Sequence, residues 1–102
     1  MNKQDKFLEI IQELYVTYCA KNSDYGDSFG ESFNKWGVLA PMVRISDKYN
    51  RLANLVGTNK EILVADEKIE DTLKDLANYC IMLIIELENS KKVNQYDIEN
   101  YY

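Results

Sequence analysis

The chain has no histidine, one proline, four glycines and two cysteines in 102 residues. Without histidine there is no imidazole base, no Ser-His relay and no His-ligated zinc, and two cysteines alone make a poor zinc site. Any metal it holds must therefore favour oxygen ligands. Cys19 and Cys80 stand among apolar residues at helical spacing, which predicts reduced, buried thiols rather than a bridge. No run approaches the roughly 18–20 consecutive apolar residues that cross a bilayer. The polar start Met1-Asn2-Lys3-Gln4-Asp5-Lys6 leads into no cleavable apolar core, so the expectation is a cytoplasmic chain with no membrane partner. An apolar fraction of 46% and a charged fraction of 28% are those of a globular protein, and the length suits one domain over 1–102.

The net charge is −5, which disfavours direct nucleic-acid binding and repels any phosphate at long range. The charge is unevenly spread. Residues 1–34 carry three lysines against six acids, residues 35–60 five lysines or arginines against one acid, and residues 61–102 four lysines against ten acids. The middle third is a basic segment between two acidic ones, either an anion site or a solvated face.

Apolar residues at Phe7, Ile10, Ile11, Leu14, Tyr15 and Tyr18 follow helical spacing and predict a first helix over about 3–21. A second is expected over about 38–56, with Met42, Ile45, Tyr49, Leu52 and Val56 on one face and Pro41 tolerated in its first turn. A third, over about 66–89, opens on Asp66, Glu67 and Glu70 and carries Ile69, Leu73, Leu76, Cys80, Leu83 and Leu87. Residues 22–37, with Gly26, Gly30 and Gly37, predict a long loop, with at most a helical turn through Glu31 to Trp36, and 91–102 a short polar tail. No strand alternation competes, and the fold class expected is all-α, a small helical bundle.

Displaced by 24 residues, Asp47-Lys48-Tyr49-Asn50-Arg51-Leu52-Ala53-Asn54 matches Asp71-Thr72-Leu73-Lys74-Asp75-Leu76-Ala77-Asn78 at four of eight positions. On the third helix Asp71, Asp75 and Asn78 share a stripe that continues into Met82 and Ile85, so both sides of that helix need cover from another helix or a second subunit. Two carboxylates there repel unless a cation compensates. Arg51 or Lys48 on the second helix can neutralise them as an ion-pair network, or the carboxylates can hold Mg²⁺ while the cations hold phosphates. In the loop, Tyr25, Phe29, Phe33 and Trp36 alternate with glycines and with Lys21 and Lys35, an arrangement suited to stacking a base or to plugging the bundle end.

Three ordered segments carry a resemblance: Lys21-Asn22-Ser23-Asp24-Tyr25-Gly26-Asp27-Ser28-Phe29, Arg44-Ile45-Ser46-Asp47-Lys48-Tyr49-Asn50-Arg51-Leu52, and Glu70-Asp71-Thr72-Leu73-Lys74-Asp75-Leu76-Ala77-Asn78-Tyr79. Together they resemble the nucleotide modification-associated domain of phage and bacterial genomes, within the MazG-like all-α NTP pyrophosphatase superfamily. The resemblance implies a bundle completed by oligomerisation, as a homodimer or homotetramer. It also implies Mg²⁺ on carboxylates of two antiparallel helices, and cleavage of a nucleoside triphosphate to monophosphate and pyrophosphate. Carried onto this sequence, it makes Asp71, Asp75 and Asp47 metal ligands, with Asp47 and Asp75 at catalytic positions. Arg44, Lys48, Arg51, Lys21, Tyr25, Trp36, Asn54 and Asn78 become nucleotide-binding residues. This sequence departs from the MazG-like pattern of paired glutamates and a Glu-x-x-Asp motif, offering only Asp47 at the first position set and Thr72 where a glutamate would fall at the second. The alternatives are a binder that sequesters a nucleotide or nucleotide-derived signal, as in phage action against host defence, and a helical interaction module whose Asp and Arg stripes form interface ion pairs.

Overall fold

A computed structural model, described over residues 2–57 and 62–93, is built from four helices. They are α1 (Lys3–Tyr25), α2 (Ser28–Trp36), α3 (Leu39–Gly57) and α4 (Ile62–Val93), and the described residues contain no strand. The all-α expectation holds. Residues 58–61, and the expected tail beyond 93, lie outside the described residues.

The first two helices begin where the sequence supplies side-chain acceptors for free N–H groups. The Asn2 side chain accepts from the Asp5 amide at 2.8 Å to open α1, and Asp27 Oδ1 accepts from the Gly30 amide at 3.1 Å to open α2. Gly26 and Gly37, at φ 67° and 75°, stop α1 and α2 in the left-handed region that costs glycine least. The expected loop over 22–37 is thus replaced by the end of α1 and a nine-residue helix. The glycines that read as loop signals are two stops and one interior residue. At that interior residue, Gly30, an added Cβ would meet the Asp27 carboxylate, so the missing side chain makes room for the cap. Pro41 sits in the first turn of α3, where no intrahelical N–H is required, and is fully buried. α4 starts four residues earlier than expected, taking the Ile62-Leu63-Val64 run into the helix, and ends four later.

The most extensive contact joins α3 to α4 as a hairpin, with α2 packed chiefly on α3 and α1 crossing α4. Among the described residues Leu14, Phe29, Phe33 and Leu55 form the buried apolar core, with Pro41 and one buried polar residue, Thr72. Thr72 is 3% exposed and donates its hydroxyl to the Lys68 carbonyl at 2.6 Å, so the residue at the expected glutamate position serves the core. Many expected core residues are uncovered within one chain. Phe7 and Ile11 share the α1 stripe of buried Leu14 yet are 70% and 40% exposed, and Tyr49, Val56 and Leu73 are also exposed. Cys19 and Cys80 are free and exposed, correcting the expectation of buried thiols, because the helix surfaces that carry them are left uncovered within the chain. The 32 residues of α4 set the 49 Å long axis, and the radius of gyration is 16.0 Å, against about 13 Å for a compact chain of this size. No helix among the described residues is long and apolar enough to cross a membrane.

Candidate functional site

The α3–α4 hairpin brings Lys48 onto Asp75, with Nζ 3.0 Å from Oδ2, and the last turns of α1 bring Lys21 to within 3.6 Å of the other carboxylate oxygen. Asp75 and Lys48 are both half-buried. Of the two roles open to Asp75 from sequence, the ion-pair network is the one this geometry forms. On the α1 side, Asn78 donates to the Leu14 carbonyl at 3.2 Å, fixing α1 on α4. Lys74 pairs with Glu13 at 3.0 Å and reaches Glu70 at 3.8 Å, and the Glu13 contact raises its pKa.

Two clefts flank this junction. The first, of about 350 Å³, lies where the end of α1, the start of α2 and the middle of α4 meet, and is lined by Tyr18, Lys21, Tyr25, Phe29, Asp75 and Tyr79 among others. Phe29 and Tyr79 stack with centroids 6.0 Å apart and planes 13° apart, and the Arg44 guanidinium lies 5.4 Å from the Phe29 ring centre. The second, of about 700 Å³, runs between α3 and α4 and is lined by Arg44, Asp47, Lys48, Asn50, Arg51, Asn54 and Lys68. Arg44 and Tyr79 line both, so the clefts meet at these two residues. Both volumes lie in the range of small-molecule sites, roughly 300–1,000 Å³.

The electrostatics of the two differ. The first cleft balances Lys21 and Arg44 against Asp27 and Asp75. The second sets four cations against Asp47 alone, and of the four only Lys48 has an ion-pair partner among the described residues. A chain of net charge −5 thus concentrates on one groove three cations, Arg44, Arg51 and Lys68, that have no ion-pair partner among the described residues. Farther along α4, burial and then the nearby charge of Asp27 raise the pKa of Glu86.

The structure gathers most of the residues expected at a site but divides them differently. Tyr25 and Lys21 line the first cleft, Arg44, Lys48, Arg51 and Asn54 the second, and Asn78 the first. Trp36 is 68% exposed, carries Lys35 5.3 Å from its ring centre and borders neither cleft. It was expected beside the base as part of a loop; as the last residue of α2 it points away from the junction. Of the three aspartates expected to share Mg²⁺, Asp71 and Asp75 line one groove between α1 and α4, with both oxygens of Asp75 facing lysines, and Asp47 lines the second cleft. No group of three acids or cysteines among the described residues is placed to hold a metal ion. Lys68 and Asn50 line the second cleft and were missed from sequence. Lys68 is on the α4 stripe of Thr72, Asp75 and Tyr79, a spacing that marks it, but it stands among acids that read as a helix start.

A model of the nucleotide modification associated domain 1 family matches residues 21–87. The chain belongs to this family. The matched span of the nucleotide modification associated domain holds every lining residue of the second cleft and all of the first except Tyr18, while most of α1 lies outside it. No curated protein and no solved structure matches the chain.

Proposed function

We propose that this nucleotide modification associated domain binds a phosphorylated nucleotide across the two joined clefts, the base in the first and the phosphates in the second. The observation that carries this reading is the set of three cations, without ion-pair partners among the described residues, on a groove that opens, at Arg44 and Tyr79, onto a cleft lined by aromatic rings. Bases stack on such rings, and guanidinium and ammonium groups bind phosphate oxygens with charge-assisted hydrogen bonds. The resemblance to MazG-like pyrophosphatases supports the same ligand class. The reading stops at binding, because the described carboxylates assemble no cluster through which a hydrolytic step can be drawn.

A second copy of the chain is part of this reading. The apolar stripe of α1 continues past α4 into Phe7 and Ile11, and α4 exposes Leu73, Ile81 and Ile84. Side chains of this kind are covered in a stable assembly, most often a closed symmetric one. The test of function is incubation with a mixed nucleotide pool, then mass spectrometry of the solution and of ligand released from denatured protein. An intact nucleotide recovered from the protein is expected. Monophosphate and pyrophosphate appearing in solution would replace binding by hydrolysis, and protein that retains nothing would refute both.

A further inference from the structure

We infer that the second cleft recognises polyphosphate without a divalent cation, with Asp75 acting as a positioning residue for Lys48 rather than as a metal ligand. The inference rests on the nucleotide reading above and goes beyond it by assigning the cation that neutralises the phosphates. Magnesium at a phosphate site normally takes one or two carboxylates with open oxygens, together with phosphate oxygens and water. Asp75 already faces two ammonium groups, its two oxygens lying 3.0 Å from Lys48 Nζ and 3.6 Å from Lys21 Nζ, so a divalent cation there would compete with both. Asp47, which lines the cleft itself, lies among Arg44, Lys48, Arg51 and Lys68, so a divalent cation entering there meets four positive side chains and one negative.

The same groove suits an anion. An ammonium group has three donors. Lys48 directs one at Asp75, lines the second cleft and is only 28% exposed, so the pairing holds it in place with donors left for a ligand. Arg44, Arg51 and Lys68 add donors that no side chain among the described residues takes in an ion pair, and their positive charge offsets much of the negative charge of a polyphosphate.

The experiment is calorimetric titration of the full chain with inorganic tripolyphosphate and with the common nucleoside triphosphates, each in excess EDTA and in excess Mg²⁺. Affinity in EDTA equal to or tighter than that in Mg²⁺ is expected, because metal-complexed phosphates carry less charge to the cations. Asp75→Asn should weaken binding less than tenfold in either buffer and leave its insensitivity to EDTA intact. Binding that requires Mg²⁺, or is more than tenfold tighter with it, overturns the inference and leaves the nucleotide reading standing. Absence of binding in both buffers overturns the nucleotide reading and the inference with it. Arg51→Ala and Lys68→Ala should each weaken binding in EDTA about tenfold or more, and unchanged affinity in both variants would also overturn the inference.

Discussion

Replacing Gly30 by alanine tests the account of α2. In an ordinary helix interior this change stabilises by about 1 kcal/mol, since glycine loses more backbone freedom on folding. At Gly30 the new Cβ meets the carboxylate of Asp27, which accepts the Gly30 N–H at 3.1 Å and opens the helix. The side chain must swing away, and losing an N-cap costs about 1 kcal/mol. The two effects offset, so Gly30→Ala should leave stability almost unchanged. Asp27→Ala alone should cost about 1 kcal/mol, or about 4–8 °C in melting temperature for a domain of this size. With the carboxylate gone the clash is gone too, so Gly30→Ala in an Asp27→Ala background should recover about 1 kcal/mol. The assay is a double-mutant cycle by urea denaturation. Additive effects, or a clear gain from Gly30→Ala in the presence of Asp27, would refute the reasoning. Phe29 and Phe33 depend on the same helix for burial, so the cycle also reads how firmly α2 sets the wall of the first cleft.

Further expectations follow from the same geometry. Because the folded pKa of Glu86 is raised, the folded state holds its proton more tightly than the unfolded chain, and stability falls as pH rises from the unfolded toward the folded value. Glu86→Gln should therefore raise the melting temperature near neutrality and not in acid, where both forms are uncharged; an equal shift at both would contradict this. Phe7→Ser with Ile11→Ser should convert an oligomer to monomer in sedimentation velocity without lowering helix content, and a wild-type chain that is already monomeric would defeat the second-copy reading. Tyr25→Ala should weaken nucleotide binding by roughly 1–3 kcal/mol if its ring stacks on the base, whereas Trp36→Ala should leave affinity unchanged; the reverse order would return the base to the α2 terminus.

The three longer helices were legible in the sequence, because the helical spacing of Leu14 with Tyr18, and of Ile45 with Leu52, repeats over enough turns to mark one face. α2 was not. Its evidence lies in a cap and two stops, Asp27, Gly26 and Gly37, and turn residues at a helix boundary look the same as turn residues in a loop. At the site, Arg44, Lys48 and Arg51 could be read from one stripe of α3, since residues on one helix keep their relation whatever the fold. The fate of Asp75 could not, because Lys21 and Lys48 reach it from positions 54 and 27 residues away in sequence, and only the crossing of α1 and the α3–α4 register decide that both arrive. Exposure was the hardest property to read: Phe7 and Tyr49 lie on apolar stripes that one chain does not cover.

Arg44 lines both clefts and lies over Phe29, so the claim that one nucleotide spans them meets its most direct test in that residue. Wild-type chain and Arg44→Ala, matched for thermal stability, would be titrated calorimetrically with nucleoside triphosphates, the corresponding nucleosides and inorganic tripolyphosphate. The account predicts that the triphosphates bind the wild type more tightly than either fragment, and that Arg44→Ala weakens them about tenfold or more, the worth of a charged hydrogen bond of roughly 1.5–3 kcal/mol. A wild-type chain that binds no triphosphate, or an Arg44→Ala chain that binds them unchanged, would contradict it.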